Sequence, residues 1–207
     1  MQPAIPSLPH RWHGQGRPLL LVSGLGCPGT SWKPFLLRAA ERWRVLSFDA
    51  AGSGDGPPLA PGSGIRQFAE SVLRLLDDLG LERLPLVGRS LGGMVAQELA
   101  LLAPERLSHL VLVSTTGRTD AHLREIFRLW AQMAELGVSA KLRHRSGLLW
   151  CLGREALERD DRIRAYLAAR ARLATIPGAG HLPYLEAPGH FAERVLGFLD
   201  EHRVEAA

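Results

Sequence analysis

The chain has 207 residues, 46% of them hydrophobic and 22% charged, which is enough apolar material for the core of one domain and not the profile of a disordered segment. Its formal net charge of +4 rests on arginine, since Lys33 and Lys141 are the only lysines; without a groove-reading motif among those arginines, no nucleic-acid partner is expected. Cys27 and Cys151 are too few for a disulfide framework or a cysteine-rich metal site, and no apolar run reaches membrane-spanning length. The start of the chain, Met1 to Pro6, has no charged-then-apolar leader, so a soluble cytoplasmic protein is the expectation.

Before Arg17 the chain is rich in Pro, His and Gly, with one short strand at most, around Pro9 to Trp12. Leu19-Leu20-Leu21-Val22 is a continuous apolar run, as suits a strand buried on both faces of a parallel sheet. It breaks into the small-residue loop Ser23 to Gly29, after which Thr30 or Ser31 can cap a helix running to about Arg42. Arg44 to Phe48 reads as the next strand, ending in Asp49 and a loop rich in Gly and Pro. Ile65, Phe68, Val72, Leu75, Leu76 and Leu79 recur at helical spacing from Gly64 onward, and Gly80 is a natural stop. An apolar strand then leads into Ser90. A helix bearing Leu91, Met94, Val95, Leu99 and Leu102 follows and halts before Pro104, and Leu110 to Val113 is another buried strand.

Strands and helices alternate up to this point, which predicts a mostly parallel, doubly wound α/β sheet with the loops after its strands gathered on one edge. From Thr116 to Arg172 the pattern becomes helical, with arginines densest between Arg143 and Arg172 and no convincing strand. Leu173 to Ile176 reads as a short strand, Pro177 to His181 as a Gly-rich turn, and Gly189 to about His202 as a terminal helix.

The chemistry concentrates in Leu86-Val87-Gly88-Arg89-Ser90-Leu91-Gly92-Gly93. An apolar strand enters a Gly-x-Ser-x-Gly and a helix leaves it, the pattern of a nucleophile elbow that holds a serine on a tight strand-to-helix turn. Side chains at Gly88 and Gly92 would collide with the crowded backbone of such a turn. A serine hydroxyl attacks only when a base takes its proton. Of the eight histidines, His181 alone sits on a Gly-rich turn directly after a strand, so it is the candidate base. Gly52-Ser53-Gly54-Asp55-Gly56 lacks the lysine and spacing of a phosphate loop, and no motif calls for a metal or cofactor.

The order Ser then His, with Val22 to Gly26, Phe48 to Gly54, Gly88 to Gly93 and Ile176 to Pro188 as successive motifs, resembles the α/β-hydrolase superfamily over about residues 17–115 and 173–200. The small esterase and lactonase branch that includes 3-oxoadipate enol-lactonases is the most similar. The resemblance implies oxyanion donors at the backbone N–H groups of Leu25 and Leu91, a turn-shaping role for Asp49, and a structural one for Glu186. It also implies a core of residues 1–115 and 173–207 interrupted by a cap-like region at 116–172. Where the family has His-Gly in the first loop, this chain has Ser23-Gly24.

One family feature is missing from the sequence. Between the cap and the strand leading to the histidine, the family carries another strand and a loop bearing the triad's acid; here Arg172 runs straight into Leu173. Asp120, beyond the strand that follows the elbow helix, is the leading substitute, with Asp160 and Asp161 behind it. Two readings follow. The first is a cofactor-free serine hydrolase acting on a small carboxylic ester or lactone. The second is a non-catalytic or severely weakened relative that lacks the acid. Substrate identity and oligomeric state are open.

Overall fold

The computed structural model describes residues 7–151 and 186–201. Five strands form one sheet in the order β1-β3-β2-β4-β5. They are β1 (His10–His13), β2 (Pro18–Val22), β3 (Arg44–Phe48), β4 (Leu84–Arg89) and β5 (Leu107–Val113). β1 runs antiparallel to β3, and every other pairing is parallel, with Leu20 beside Leu46 on one side and Leu86 on the other.

Strand alternation assigns each apolar residue to a face. On β2, Leu19 and Leu21 enter one hydrophobic cluster while Leu20 and Val22 enter another. On β4, Leu84 and Leu86 face the second cluster and Val87 the first. A strand whose consecutive residues are all buried must be covered on both sides, and helices supply the covers. On the first side lie α1 (Lys33–Ala39) and α6 (Pro188–Glu201), through Phe35, Leu36, Phe191, Val195 and Leu199. On the second lie α2 (Ile65–Asp78) and α3 (Leu91–Leu102), through Ala69, Val72, Leu76, Val95 and Leu99. The sheet is therefore doubly wound and mostly parallel, as the sequence predicts.

Several boundaries differ from expectation. β5 starts at Leu107 rather than Leu110, because a register shift between Leu84 and Leu86 extends its pairing with β4. Neither Thr30 nor Ser31 caps α1; both lie in a 3-10 turn, Gly29–Trp32, that precedes it. α1 stops at Ala39, short of Arg42, and the chain turns with the Trp43 N–H donating to the Ala39 carbonyl at 2.9 Å. The β1–β2 turn closes over that end: a Cβ at Gly14 would stand 2.3 Å from the Ala40 carbonyl oxygen and 2.5 Å from that of Trp43. α2 begins where expected, and the Gln67 side chain accepts the Gly64 N–H at 2.8 Å to cap it.

After β5 come α4 (Ala121–Glu135) and α5 (Ala140–Cys151), in the region expected to be helical. The strand expected at Leu173 to Ile176 lies outside the described residues. No helix among the described residues is long and apolar enough to cross a membrane.

α6 is joined to the sheet layer by Phe191, which is fully buried and meets Phe35 edge-on with ring centres 5.1 Å apart. Phe191→Ala is expected to cost about 3–5 kcal/mol of stability, read as a lower urea midpoint at unchanged slope. A loss below about 1 kcal/mol would contradict this docking of the helix.

Candidate active site

Ser90 joins β4 to α3 with φ 49° and ψ −120°, a conformation that non-glycine residues rarely adopt. Such strain costs roughly 1–3 kcal/mol and persists only where the surroundings impose it. Here they do. The Ser90 N–H donates to the Val113 carbonyl at 2.9 Å, which anchors the turn to the neighbouring strand. Its carbonyl accepts from the N–H groups of Gly93 and Met94 at 3.0 and 3.2 Å, and from the Thr115 hydroxyl at 2.7 Å. A Cβ on Gly92 would lie 2.3 Å from the Val22 carbonyl oxygen, and one on Gly88 would lie 2.5 Å from the Gly92 oxygen. Backbone alone fits in this crossing of β2, β4 and α3.

The loop after β2 borders the serine. A Cβ added to Gly24 would stand 3.3 Å from Ser90 Cβ and 3.8 Å from its Oγ. The loop holds its shape through main-chain groups: the Cys27 N–H donates to the Gly24 carbonyl at 3.1 Å, and the Ser23 hydroxyl to the Pro28 carbonyl at 3.3 Å. Its far end is fixed by Asp49, which is 2% exposed at the tip of β3. One carboxylate oxygen accepts the Gly29 N–H at 2.7 Å and the other the Asp55 N–H at 3.0 Å. The Arg11 guanidinium, 3.6 Å from Asp49 and 3.0 Å from Asp55, partners both acids. Asp49 thus shapes both turns at this edge of the sheet.

The family model for the alpha/beta hydrolase fold matches residues 17–173. The chain belongs to this family. Among curated relatives, the protein named carbamate hydrolase RutD from Azorhizobium caulinodans is 38% identical over 118 residues, covering 56% of this chain and 44% of that one. Its namesake from Stutzerimonas stutzeri is 32% identical over 160 residues, covering 72% and 60%. The chain thus spans about half the length of the curated relatives it matches. Among solved structures, a hydrolase from Pseudomonas aeruginosa is 27% identical with a TM-score of 0.76, covering 92% of this chain and 93% of that one. The enol-lactonase from Burkholderia xenovorans, 19% identical with a TM-score of 0.80 and covering 93% and 96%, shares the fold.

In this α/β hydrolase the residues expected at the site fall as follows. Ser90 follows β4 and Leu91 opens α3, while Leu25, 54% exposed, lies in the loop after β2, next to the Gly24 that borders Ser90. Asp120 is the N-cap of α4, its side chain exposed and one carboxylate oxygen accepting the Leu123 N–H at 2.8 Å. Glu186 is buried just ahead of α6. His181, Asp160, Asp161 and the Arg172–Leu173 junction lie outside the described residues.

Two residues escaped the sequence reading. Ser114, directly after β5, also has a positive φ of 44°, beside the elbow in the sheet. Arg89 is 0% exposed although charged, and its one signal was an arginine closing an apolar strand. Gly92→Ala is expected to destabilise by about 3 kcal/mol or more, since the added methyl meets only main chain. Gly197→Ala is the control: nothing lies within 4 Å of its Cβ position, and helix propensity favours the change by up to about 1 kcal/mol. Paired denaturant titrations read the contrast, and equal effects at the two positions would refute it.

Proposed function

We propose that this α/β hydrolase is a serine hydrolase for a small carboxylic ester or lactone, without a cofactor. The observation that carries the reading is Ser90 itself, strained at φ 49° at the strand-to-helix turn and bordered by the Gly24 main chain. Strain at one polar residue, imposed by glycine packing on every side, serves reactivity better than stability. The relatives named carbamate hydrolase point to the same kind of centre, an acyl carbon bearing a heteroatom leaving group.

In this mechanism Ser90 Oγ attacks the carbonyl carbon while His181 takes its proton. The negative charge that develops on the carbonyl oxygen is met by the N–H groups of Leu25 and Leu91. Losing one such donor typically costs about 10²–10³ in rate. His181 then passes the proton to the leaving group, and water resolves the acyl-enzyme by the same steps in reverse order of roles. Residues 116–172 act as the cap that selects the substrate.

Asp120 is the candidate to orient His181. One of its oxygens caps α4, which leaves the other for an imidazole N–H. A second reading, a severely weakened hydrolase, gains support from the exposure of the same carboxylate, because water screens an exposed charge. Asp120→Asn separates the two, since asparagine caps a helix about as well as aspartate. If Asp120 orients the base, turnover falls by about 10⁴ at unchanged stability. An unchanged turnover removes Asp120 from the mechanism.

The nucleophile is tested directly. A fluorophosphonate is expected to modify Ser90, located by mass spectrometry, and Ser90→Ala to abolish both labelling and hydrolysis of a p-nitrophenyl ester. Modification elsewhere, or full hydrolysis by Ser90→Ala, would overturn the assignment.

A further inference from the structure

Arg89 separates Gly88 from the nucleophile and is fully buried at the end of an apolar strand. Side chains alternate along β4, so Arg89 shares a face with Val87 and enters the layer of α1 and α6. There it engages the turn before α1. Its Nη2 donates to the Ser31 hydroxyl, and its Cζ lies 4.6 Å from the centre of the Trp32 ring. Ser31 and Trp32, 5% and 0% exposed, belong to the 3-10 turn that ends the loop after β2. Through Arg89, the residue preceding the nucleophile grips the turn that follows the oxyanion loop, 58 positions away in sequence.

Filling space does not account for an arginine here. Burying a cation is costly, and a methionine or leucine would fill the end of an apolar strand without that cost. What a guanidinium adds is a rigid planar fork that hydrogen-bonds and stacks at once, fixing both distance and angle. The proposed oxyanion hole needs such a fix, because it takes one N–H from each side, Leu91 on the elbow and Leu25 on the loop. A displacement of about 1 Å in such a constellation can cost 10²-fold in rate. Asp49 holds the loop from its β3 side through Gly29, and Arg89 holds the next residues from the elbow side.

We propose that Arg89 is a positioning residue that sets the spacing between the nucleophile elbow and the oxyanion loop. The proposal rests on the reading of Ser90 as the nucleophile. It assigns Arg89 no contact with substrate.

The test measures Arg89→Met, Arg89→Lys and Ser31→Ala against the parent, by p-nitrophenyl ester hydrolysis, by the rate of Ser90 phosphonylation and by thermal melting. For folded Arg89→Met, kcat and the phosphonylation rate are expected to fall about 10–100-fold while KM stays within about 3-fold, because orientation is lost and binding is not. Arg89→Lys keeps the charge but not the fork and recovers only part of the loss. Ser31→Ala lowers kcat less, and adding it to Arg89→Met costs nothing further, since both changes break one contact. A kcat within about 2-fold of the parent in folded Arg89→Met overturns the proposal, as does a rise in KM that accounts for the whole effect. If Arg89→Met does not fold, the other two variants decide: parental kcat in both overturns the proposal, and lowered kcat at unchanged KM upholds it. Parent enzyme that is not phosphonylated at Ser90 refutes the nucleophile reading and this proposal together, whereas a labelled parent with unaffected variants refutes only the role of Arg89.

Discussion

The backbone of Ser90 is the constraint around which this edge of the fold is arranged. A residue held at φ 49° and ψ −120° costs free energy, and the sheet offsets it with hydrogen bonds on both sides of the peptide. The Val113 carbonyl receives its N–H, and Thr115, Gly93 and Met94 donate to its carbonyl. β5 and the first turn of α3 are therefore tied to one residue. The exclusion of side chains at Gly88 and Gly92 has the same origin: α3 approaches β2 so closely that the Val22 carbonyl occupies the space of a Cβ. A strand end, a helix start and a neighbouring loop are fixed together.

The loop facing Ser90 is held by a different strategy. Its own side chains contribute little, with Leu25 exposed and only the Ser23 hydroxyl reaching back to Pro28. Two buried ionic side chains outside it bond the residues that follow the loop. Asp49 accepts the Gly29 N–H, and Arg89 donates to Ser31 two residues on. Charged groups reach main chain and hydroxyl groups with stronger hydrogen bonds than neutral ones do, and their burial raises the cost of any other arrangement.

The sheet was readable because strand burial is a pattern of composition. Leu19 to Val22, Val45 to Phe48 and Leu84 to Val87 are apolar without alternation, Ser47 excepted, which leaves a doubly covered parallel sheet as the answer. The elbow was readable for a similar reason, since its glycines record a steric demand. What escaped depends on tertiary contact. Ser31 looked like a helix cap by type, but packing under Arg89 gave its hydroxyl another use. α1 ends early where the β1–β2 turn at Gly14 sits against the Ala40 and Trp43 carbonyls just past it, and nothing near Arg42 announces that. Asp120 was singled out as an acid near a strand end, and it sits at the start of α4 where its local role is to cap. One carboxylate can signal either use, and sequence spacing does not separate them.

The free energy that holds the site and the free energy that holds the region after β5 come from different amounts of burial. α3 presents Gly92, Gly93, Val95, Ala96 and Leu99 to the core, while α4, longer by a turn, buries only Ile126. Leu129, Leu136, Leu142, Leu149 and Trp150 all stand exposed on α4, α5 and their junction. At about 25 cal/mol per Å² of apolar surface removed from water, a helix whose apolar face is mostly half-buried, at Leu123, Phe127, Trp130 and Met133, has less to lose on moving than one buried along its length. Elements of low burial open at lower free energy than core elements, and substrate-gating parts of enzymes are drawn from that class. The division fits the proposed serine hydrolase, in which a strained and closely packed serine turn would perform the same attack on every substrate. On that proposal, choice among substrates would fall to the less buried helices, which could change in sequence without disturbing the packing around Ser90.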